Sequence, residues 1–285
     1  MAWTKENTVT FFQNFCMNVL KIGRVPRHVA FIMDGNRRSA KKIAVNTSSK
    51  ICHSRGFSKL TEVLQWCLHL GISEVTVYAF SIENFKRPEE EVNAVMELAC
   101  DKFQDLLNEI NSINEMGLNI RVIGRLSLLP DVLKAFATKC MRISKQNSKL
   151  KLNMALAYTG RDEISRAASY IVDSVKNKEL NADDIDEVLV SSTLELGEPE
   201  LLVRTSGEVR LSDFMLWQIS NTVLYYSDVL WPEFTIWNLF AAIIHFQRYA
   251  PSLREKVPIS NKSKQIFLDK LTSRRIQVFE NGTYR

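Results

Sequence analysis

Apolar, β-branched runs alternate along the chain with segments of helical period. Val29 to Met33, Glu74 to Phe80, Leu118 to Gly124, Leu150 to Tyr158 and Leu201 to Thr205 read as short buried strands, with Thr222 to Tyr226 a weaker sixth. Between them, Phe57 to Leu70 places Leu60, Val63, Leu64, Cys67 and Leu70 on one helical face. Pro88 followed by Glu89, Glu90 and Glu91 suits a helix start, where the proline needs no donor and the acids favour the positive end of the dipole. Val92, Val95, Met96, Leu98, Phe103, Leu106, Leu107 and Ile110 then carry one helical period to about Met116. A helix of that length is expected to lie along a cleft or an interface. The alternation predicts an α/β domain with a mainly parallel central sheet flanked by helices.

The two ends read differently. Val9 to Ile22 places Phe11, Phe12, Phe15, Val19 and Leu20 along a short amphipathic helix, which either packs on the domain or touches a bilayer surface. Asn177 to Glu200 is polar and acidic and is expected to end in a surface loop, and the pattern decays after Pro251 into a tail with room for one helix. No repeat or Gly/Ser linker interrupts the middle, so residues 1–25 are expected to form an N-terminal amphipathic helix, 26–250 a single α/β domain and 251–285 a C-terminal tail.

Composition narrows the class. Of 285 residues 46% are hydrophobic, which leaves ample material for a core. Gly at 10 and Pro at 7 are too few for a collagenous or low-complexity chain. No run approaches the roughly 20 apolar residues of a membrane-spanning helix. The amino terminus lacks the basic, then apolar, then small-residue order of a signal peptide. Cys16, Cys52, Cys67, Cys100 and Cys140 follow neither a disulfide nor a metal-knuckle spacing and read as small buried hydrophobes. The net charge of +5 permits an anionic ligand or membrane surface. It is too weak, without a basic stripe and interleaved aromatics, for a nucleic-acid-binding module.

Candidate chemistry lies at the carboxyl ends of the strands, where parallel α/β sheets hold ligands. Asp34-Gly35-Asn36-Arg37-Arg38 follows the first strand: Gly35 lets backbone approach a phosphate, Asn36 can cap the next helix, and two arginines supply forked donors. Asp34 could hold Mg²⁺ that bridges phosphate oxygens. The same five residues would also make an ordinary strand–helix turn. The second strand ends in Ser81-Ile82-Glu83-Asn84-Phe85-Lys86-Arg87, and the fifth in Arg204 to Ser212, with two arginines, three hydroxyls and a glycine in nine residues. Three such loops together point to two phosphorylated groups. Phe31, Phe85, Trp217, Trp231 and Phe234 lie near these loops; such residues are usually core, but they could also wall a long hydrocarbon. Of four histidines only His53, in Cys-His-Ser-Arg-Gly, has suggestive surroundings.

The ordered motifs IMDGNRR, YAFSIENFKR, RTSGEVRLSDF with LWQ after it, and LWPEF resemble those of cis-prenyltransferases, most closely the eukaryotic branch that forms dehydrodolichyl diphosphate. The resemblance implies a sheet of about six strands. It implies repeated condensation of isopentenyl diphosphate onto an allylic diphosphate such as farnesyl diphosphate, each new double bond cis, to make long-chain dehydrodolichyl diphosphate for dolichol synthesis and protein glycosylation. By position, Asp34 would bind Mg²⁺, and Gly35, Asn36, Arg37 and Arg38 would cradle the allylic diphosphate. His53, Asn84 and Arg87 would lie near the reacting carbons with Phe85 beside them, and Arg204, Arg210 and Ser212 would take the isopentenyl diphosphate.

Two departures bear on assembly. Homomeric relatives carry a metal-binding glutamate near Val223 and end in an Arg-x-Gly segment that completes the neighbour's site. Here Val223 cannot ligate Mg²⁺, and His245 to Pro251 lacks such a glycine. Both gaps match a catalytic subunit that borrows its Arg-x-Gly end from a Nogo-B-receptor-like partner, held peripherally on the cytosolic face of the endoplasmic reticulum membrane. A third departure, the longer stretch between Lys42 and His53, places Cys52 where a glycine is expected. The competing readings are a self-sufficient homodimer with a shorter product and a non-catalytic isoprenoid-diphosphate-binding regulatory subunit.

Overall fold

The computed structural model describes residues 9–43, 49–250 and 262–281, with side chains described outside 40–53, 262–263 and 279–281. Six strands, β1 (His28–Ile32), β2 (Glu74–Ser81), β3 (Leu118–Ile123), β4 (Leu150–Tyr158), β5 (Leu201–Arg204) and β6 (Val223–Tyr226), form one sheet in the order β3-β4-β2-β1-β5-β6. Every adjacent pair is parallel. The expected six-stranded parallel sheet is what the chain builds. Alternation explains why its strands read as continuous apolar runs. Val29 and Phe31 of β1 enter the large core on one face of the sheet, while Ala30 and Ile32 enter a second core on the other.

The large core is closed by α1 (Phe11–Leu20), α3 (Ser49–Leu70), α4 (Glu89–Asn108), α6 (Asp131–Ser144) and α9 (Ile236–Tyr249). Leu60, Val63, Leu64, Cys67 and Leu70 of α3 are all buried, as their spacing requires. Cys67 and Cys140 are buried free thiols, and burial pushes Cys140 up to about 12, which suits the hydrophobe reading of these two. Cys16 and Cys100 are only half-buried, and the side chain of Cys52 lies outside the described residues.

One expectation changes, and two loosely patterned stretches each gain a helix. The single helix from Pro88 to Met116 is two, because Glu109 leaves helical geometry (φ −102°, ψ 23°) between α4 and α5 (Ile110–Met116). The bend lets α5 bury Ile113 and end at left-handed Gly117 immediately before β3. The acidic stretch after Asn177 contains α8 (Glu187–Thr193), capped by Asp186, whose carboxylate accepts from Leu189 N–H at 2.8 Å. The C-terminal stretch carries α10 (Lys262–Asn281), whose Phe267 and Leu271 bury against Ile171, Leu180 and Leu189.

The N-terminal helix packs on the domain through Met17 and Leu20, but not by the face its apolar residues define. Phe11, Phe12, Phe15 and Val19 all point to solvent, Phe11 at 91% exposure. No helix among the described residues is long and apolar enough to cross a membrane.

Trp231 ties the large core to the carboxyl edge of the sheet. Fully buried between Phe31 and Phe234, it donates its indole N–H to the Gly56 carbonyl of α3 at 2.8 Å and its backbone N–H to the Asp34 carbonyl at 3.0 Å. Trp231→Phe removes one buried hydrogen bond, while the Gly56 carbonyl keeps its place in the helical ladder of α3, and should cost about 1 kcal/mol. Trp231→Ala also opens a cavity and should cost about 3–5 kcal/mol. Urea unfolding of the two variants reads the difference.

Candidate active site

In the strand order the chain leaves β1 toward β2 on one side and leaves β5 toward β6 on the other, so the carboxyl ends of β1 and β5 flank a topological switch point. The register pairs Ile32 with Arg204 there. Two residues beyond Ile32, the Asp34 backbone is fixed from both sides. Its N–H donates to Thr205 Oγ1 at 3.0 Å, and its carbonyl accepts from Thr205 Oγ1 at 2.8 Å. Gly35 sits at φ +102°, where a Cβ would meet Leu230 Cδ2 at 2.8 Å and Leu230 Cα at 3.1 Å, so only glycine fits.

The Asp34 carboxylate gathers three donors. Oδ1 accepts from Gly35 N–H at 2.7 Å and faces Arg38 Nη2 at 3.7 Å, while Oδ2 pairs with Arg204 Nη2 at 3.1 Å. Arg204 is 2% exposed; Asp34 keeps 36% of its side chain open. Arg204 Nη1 donates to Ser212 Oγ at 2.8 Å and to the Arg210 carbonyl. One buried guanidinium thus joins the first loop to the third. Arg38 adds a second link, donating to the Ser206 carbonyl at 3.1 Å and to Ser206 Oγ.

Asn36 does not cap α2 (Asn36–Ile43) but begins it, its amide donating back to the Met33 carbonyl at 3.3 Å. Its Oδ1 is buried without a partner among the described residues. The second loop is a 3-10 turn over Ile82–Lys86 capped by Ser81, whose hydroxyl accepts from Glu83 N–H. Asn84 Oδ1 accepts from Arg87 Nη2 at 3.0 Å, and Phe85 is half-buried with its ring against Phe80. Phe31, Trp231 and Phe234 are fully buried core, and half-buried Trp217 donates to Ser191 Oγ, so these four are structural.

Two carboxylates that sequence reasoning did not place in the site join its arginines. Glu91 Oε1 takes Arg87 at 2.8 Å and Arg37 at 3.3 Å, linking the second loop to the first. Glu208 faces Arg38 at 3.7 Å and pairs with Arg210. Glu91 was visible as the acid four residues after Arg87 on a helix start, a favourable spacing for an ion pair. Glu208 lies within the motif itself but carried no helical spacing to announce it. The candidates Asp34, Gly35, Arg38, Arg204 and Ser212 therefore meet directly, Arg37, Arg87 and Arg210 join through Glu91 and Glu208, and Asn84 joins through Arg87. His53 lies on α3, and its side chain, the side chains from residue 40 up to it, and residues 44–48 altogether lie outside the described residues.

Tyr78, which sequence reasoning also missed, braces the third loop. Its hydroxyl reaches the Tyr158 carbonyl at 3.1 Å and the Ser212 carbonyl at 3.3 Å, and its ring stacks on Phe214 at 4.5 Å. Burial, with the nearby carboxylates of Asp213 and Glu83, pushes this phenol up to about 12.

The arrangement sets several guanidinium groups around one half-open carboxylate at the carboxyl ends of β1 and β5, able to receive anionic groups and to orient them. The prenyltransferase family model described as undecaprenyl diphosphate synthase matches residues 32–252. This chain belongs to that family of cis-prenyltransferases. It is 49% identical over 87% of its length to a dehydrodolichyl diphosphate synthase complex subunit of Homo sapiens, covering 74% of that protein. It is 40% identical over 87% of its length to the corresponding subunit of Schizosaccharomyces pombe, covering 93% of it. Its fold matches lavandulyl diphosphate synthase of Lavandula x intermedia, solved with dimethylallyl diphosphate, at TM-score 0.73 and 31% identity, over 78% of this chain and 95% of that one. Cis-prenyltransferases transfer prenyl groups, and the switch-point loops are where this chain concentrates its anion-binding groups.

The raised Tyr78 phenol makes stability fall with alkali. Its neutral form is favoured in the folded state, so its contribution is intact below the unfolded value of about 10 and is lost as pH rises toward about 12. Between those limits Tyr78→Phe should flatten the decline in unfolding free energy by up to about 1.4 kcal/mol per pH unit. Urea titrations at a series of pH values from the neutral range to the alkaline limit measure this.

Proposed function

We propose that the chain is the catalytic subunit of a magnesium-dependent cis-prenyltransferase of dolichol synthesis, serving protein glycosylation. It extends farnesyl diphosphate by repeated condensation with isopentenyl diphosphate. The observation that carries the reading is the Asp34–Arg204–Ser212 chain across the switch point, with Arg38 beside it. It sets one half-open carboxylate between two arginine-bearing loops, as two neighbouring diphosphates require. Arg37 and Arg38 would hold the allylic diphosphate; Arg204, Arg210 and Ser212 would hold the isopentenyl one. In each case a fork of N–H donors meets phosphate oxygens.

The donors present fit Mg²⁺, which commonly uses one or two carboxylates with substrate phosphates and water. Asp34 offers one such carboxylate, and among the described residues no group of three acids, histidines or cysteines competes for it. When bound, the ion would neutralise charge on the departing diphosphate. The arginines stabilise that same charge, and the apolar core beneath the loops excludes water from the cation-like allyl group. Asn84, held by Arg87, would orient the condensing unit rather than take its proton. A diphosphate oxygen is the base.

Assembly with a Nogo-B-receptor-like subunit rests on three features. Val223 starts β6, the outer strand beside β5, and offers no metal ligand. The stretch from His245 to Pro251 lacks the Arg-x-Gly ending. The human and fission-yeast relatives are both named as complex subunits. Peripheral contact with the cytosolic face of the endoplasmic reticulum membrane is supported by the outward Phe11, Phe12 and Phe15 of α1.

Radiolabelled isopentenyl diphosphate with farnesyl diphosphate as primer tests the reading. The chain with its partner subunit should form labelled polyprenyl diphosphate, and the chain alone little or none. Full activity alone removes the partner claim; inactivity in both settings points to a regulatory subunit. Asp34→Ala in the complex should lower turnover by about a hundredfold or more, since it removes charge stabilisation at the reacting centre. Chelation of the divalent cation should abolish turnover in the wild type.

A further inference from the structure

The third loop holds its shape against backbone preference. Ser212, Asp213 and Met215 all have positive φ, at 51°, 60° and 49°, in a stretch where none is glycine. Asp tolerates this region better than most residues, but three such residues in four persist only where surrounding structure fixes them. The fixing contacts converge on Asp213. Its carbonyl accepts from Gly160 N–H at 2.6 Å, its Oδ1 from Arg161 N–H at 3.0 Å, and its Oδ2 from Arg161 Nε at 2.8 Å. Gly160 and Arg161 are the first residues of α7 (Gly160–Lys176), so the backbone carbonyl and the side chain of one residue in the third loop each satisfy an amide donor that this helix start leaves open. The Asp213 side chain is 11% exposed, and the next residue, Phe214, is locked between Tyr78 and Tyr158.

We infer that Asp213 is a positioning residue for isopentenyl diphosphate: by clamping the third loop onto the start of α7, it places Ser212 Oγ and the Arg210 carbonyl on Arg204. This deepens the proposed function and rests on its assignment of Arg204, Arg210 and Ser212. Asp213 itself touches neither Arg204 nor Asp34. Its effect passes through the backbone of the adjacent Ser212, whose Oγ lies 2.8 Å from Arg204 Nη1. The first loop is held by Thr205, at the β5 end of the third loop, and by Trp231, both away from the Ser212 end that Asp213 clamps. The clamp therefore acts chiefly on the isopentenyl diphosphate side.

The test is steady-state kinetics of the chain with its partner subunit, each substrate varied in turn, alongside thermal melting. Asp213→Ala should raise KM for isopentenyl diphosphate by about tenfold or more, the scale of losing hydrogen bonds to a charged acceptor. KM for farnesyl diphosphate should stay within about twofold, and melting should remain cooperative. Asp213→Asn keeps an oxygen for Arg161 N–H and should restore most of the affinity. Ser212→Ala is the control for the underlying assignment. If Ser212→Ala leaves KM for isopentenyl diphosphate unchanged, the assignment of the third loop fails and the inference with it. If Ser212→Ala raises that KM but Asp213→Ala does not, or raises both KM values equally, the positioning role alone is overturned. Direct titration of each folded variant with isopentenyl diphosphate gives the same discrimination should turnover be lost, and unchanged affinity in Asp213→Ala overturns the inference there too.

Discussion

The Arg204–Asp34 pair is the interaction on which the site's geometry depends. Arg204 ends β5 with its side chain out of water, and Asp34 follows β1 with a third of its side chain still open. Sequestering a guanidinium is costly unless its donors find acceptors, and a buried ion pair is weak evidence for stability. Its contribution is specificity of arrangement. Arg204 has its Nη atoms engaged by Asp34, Ser212 and the Arg210 carbonyl, so the first and third loops have one mutual placement. The parallel register that sets Ile32 beside Arg204 makes the pairing available. Sheet topology, rather than loop sequence, brings together residues 170 positions apart.

A second constraint follows from the arginines being many and close. Without an anionic ligand their charges would repel, and the chain answers with Glu91 between Arg37 and Arg87, and Glu208 between Arg38 and Arg210. These pairs are exposed enough to be worth little in stability. They can therefore yield to a diphosphate, which offers more oxygens in a geometry that suits a guanidinium fork. A cluster of arginines left unpaired would keep its field but lose its order; pairing with carboxylates that can be displaced keeps both.

Much of this was legible in the sequence, for identifiable reasons. Strands buried on both faces are mainly apolar, so β4 was readable to the residue as Leu150 to Tyr158 despite Lys151 and Asn153. The polar loops were conspicuous against those runs. What failed were features set by tertiary fit. The bend at Glu109 interrupts no hydrophobic period, because α4 and α5 both continue to face the core. The outward phenylalanines of α1 were not legible as such, since periodicity identifies an apolar face but not what covers it. Tyr78 and Asp213 act through a stacked ring and a helix start that only the fold brings near. Asn36 looked like a cap from its residue type, yet α2 begins one residue earlier than a cap would allow.

The same physics allows a well-packed domain to place its site at an open edge. The core requires a closed apolar layer on both faces of the sheet, and this chain supplies it: Phe31, Trp231 and Phe234 are fully buried on one face, Tyr158 and Phe214 on the other. The site sits at the rim of that layer, one strand in from the outer strand β6. Leu224, Tyr225 and Tyr226 of β6 are only half-buried, and Tyr225, His245 and Tyr249 form an aromatic row alongside it. An outer strand with partly open aromatic neighbours is suited to another protein surface, since aromatic groups offer large contact area at small entropic cost. A partner docked there would approach the carboxyl end of β5, where Arg204 emerges. Completing the site from outside then demands no change in the core, so folding and catalytic completeness can be divided between two chains.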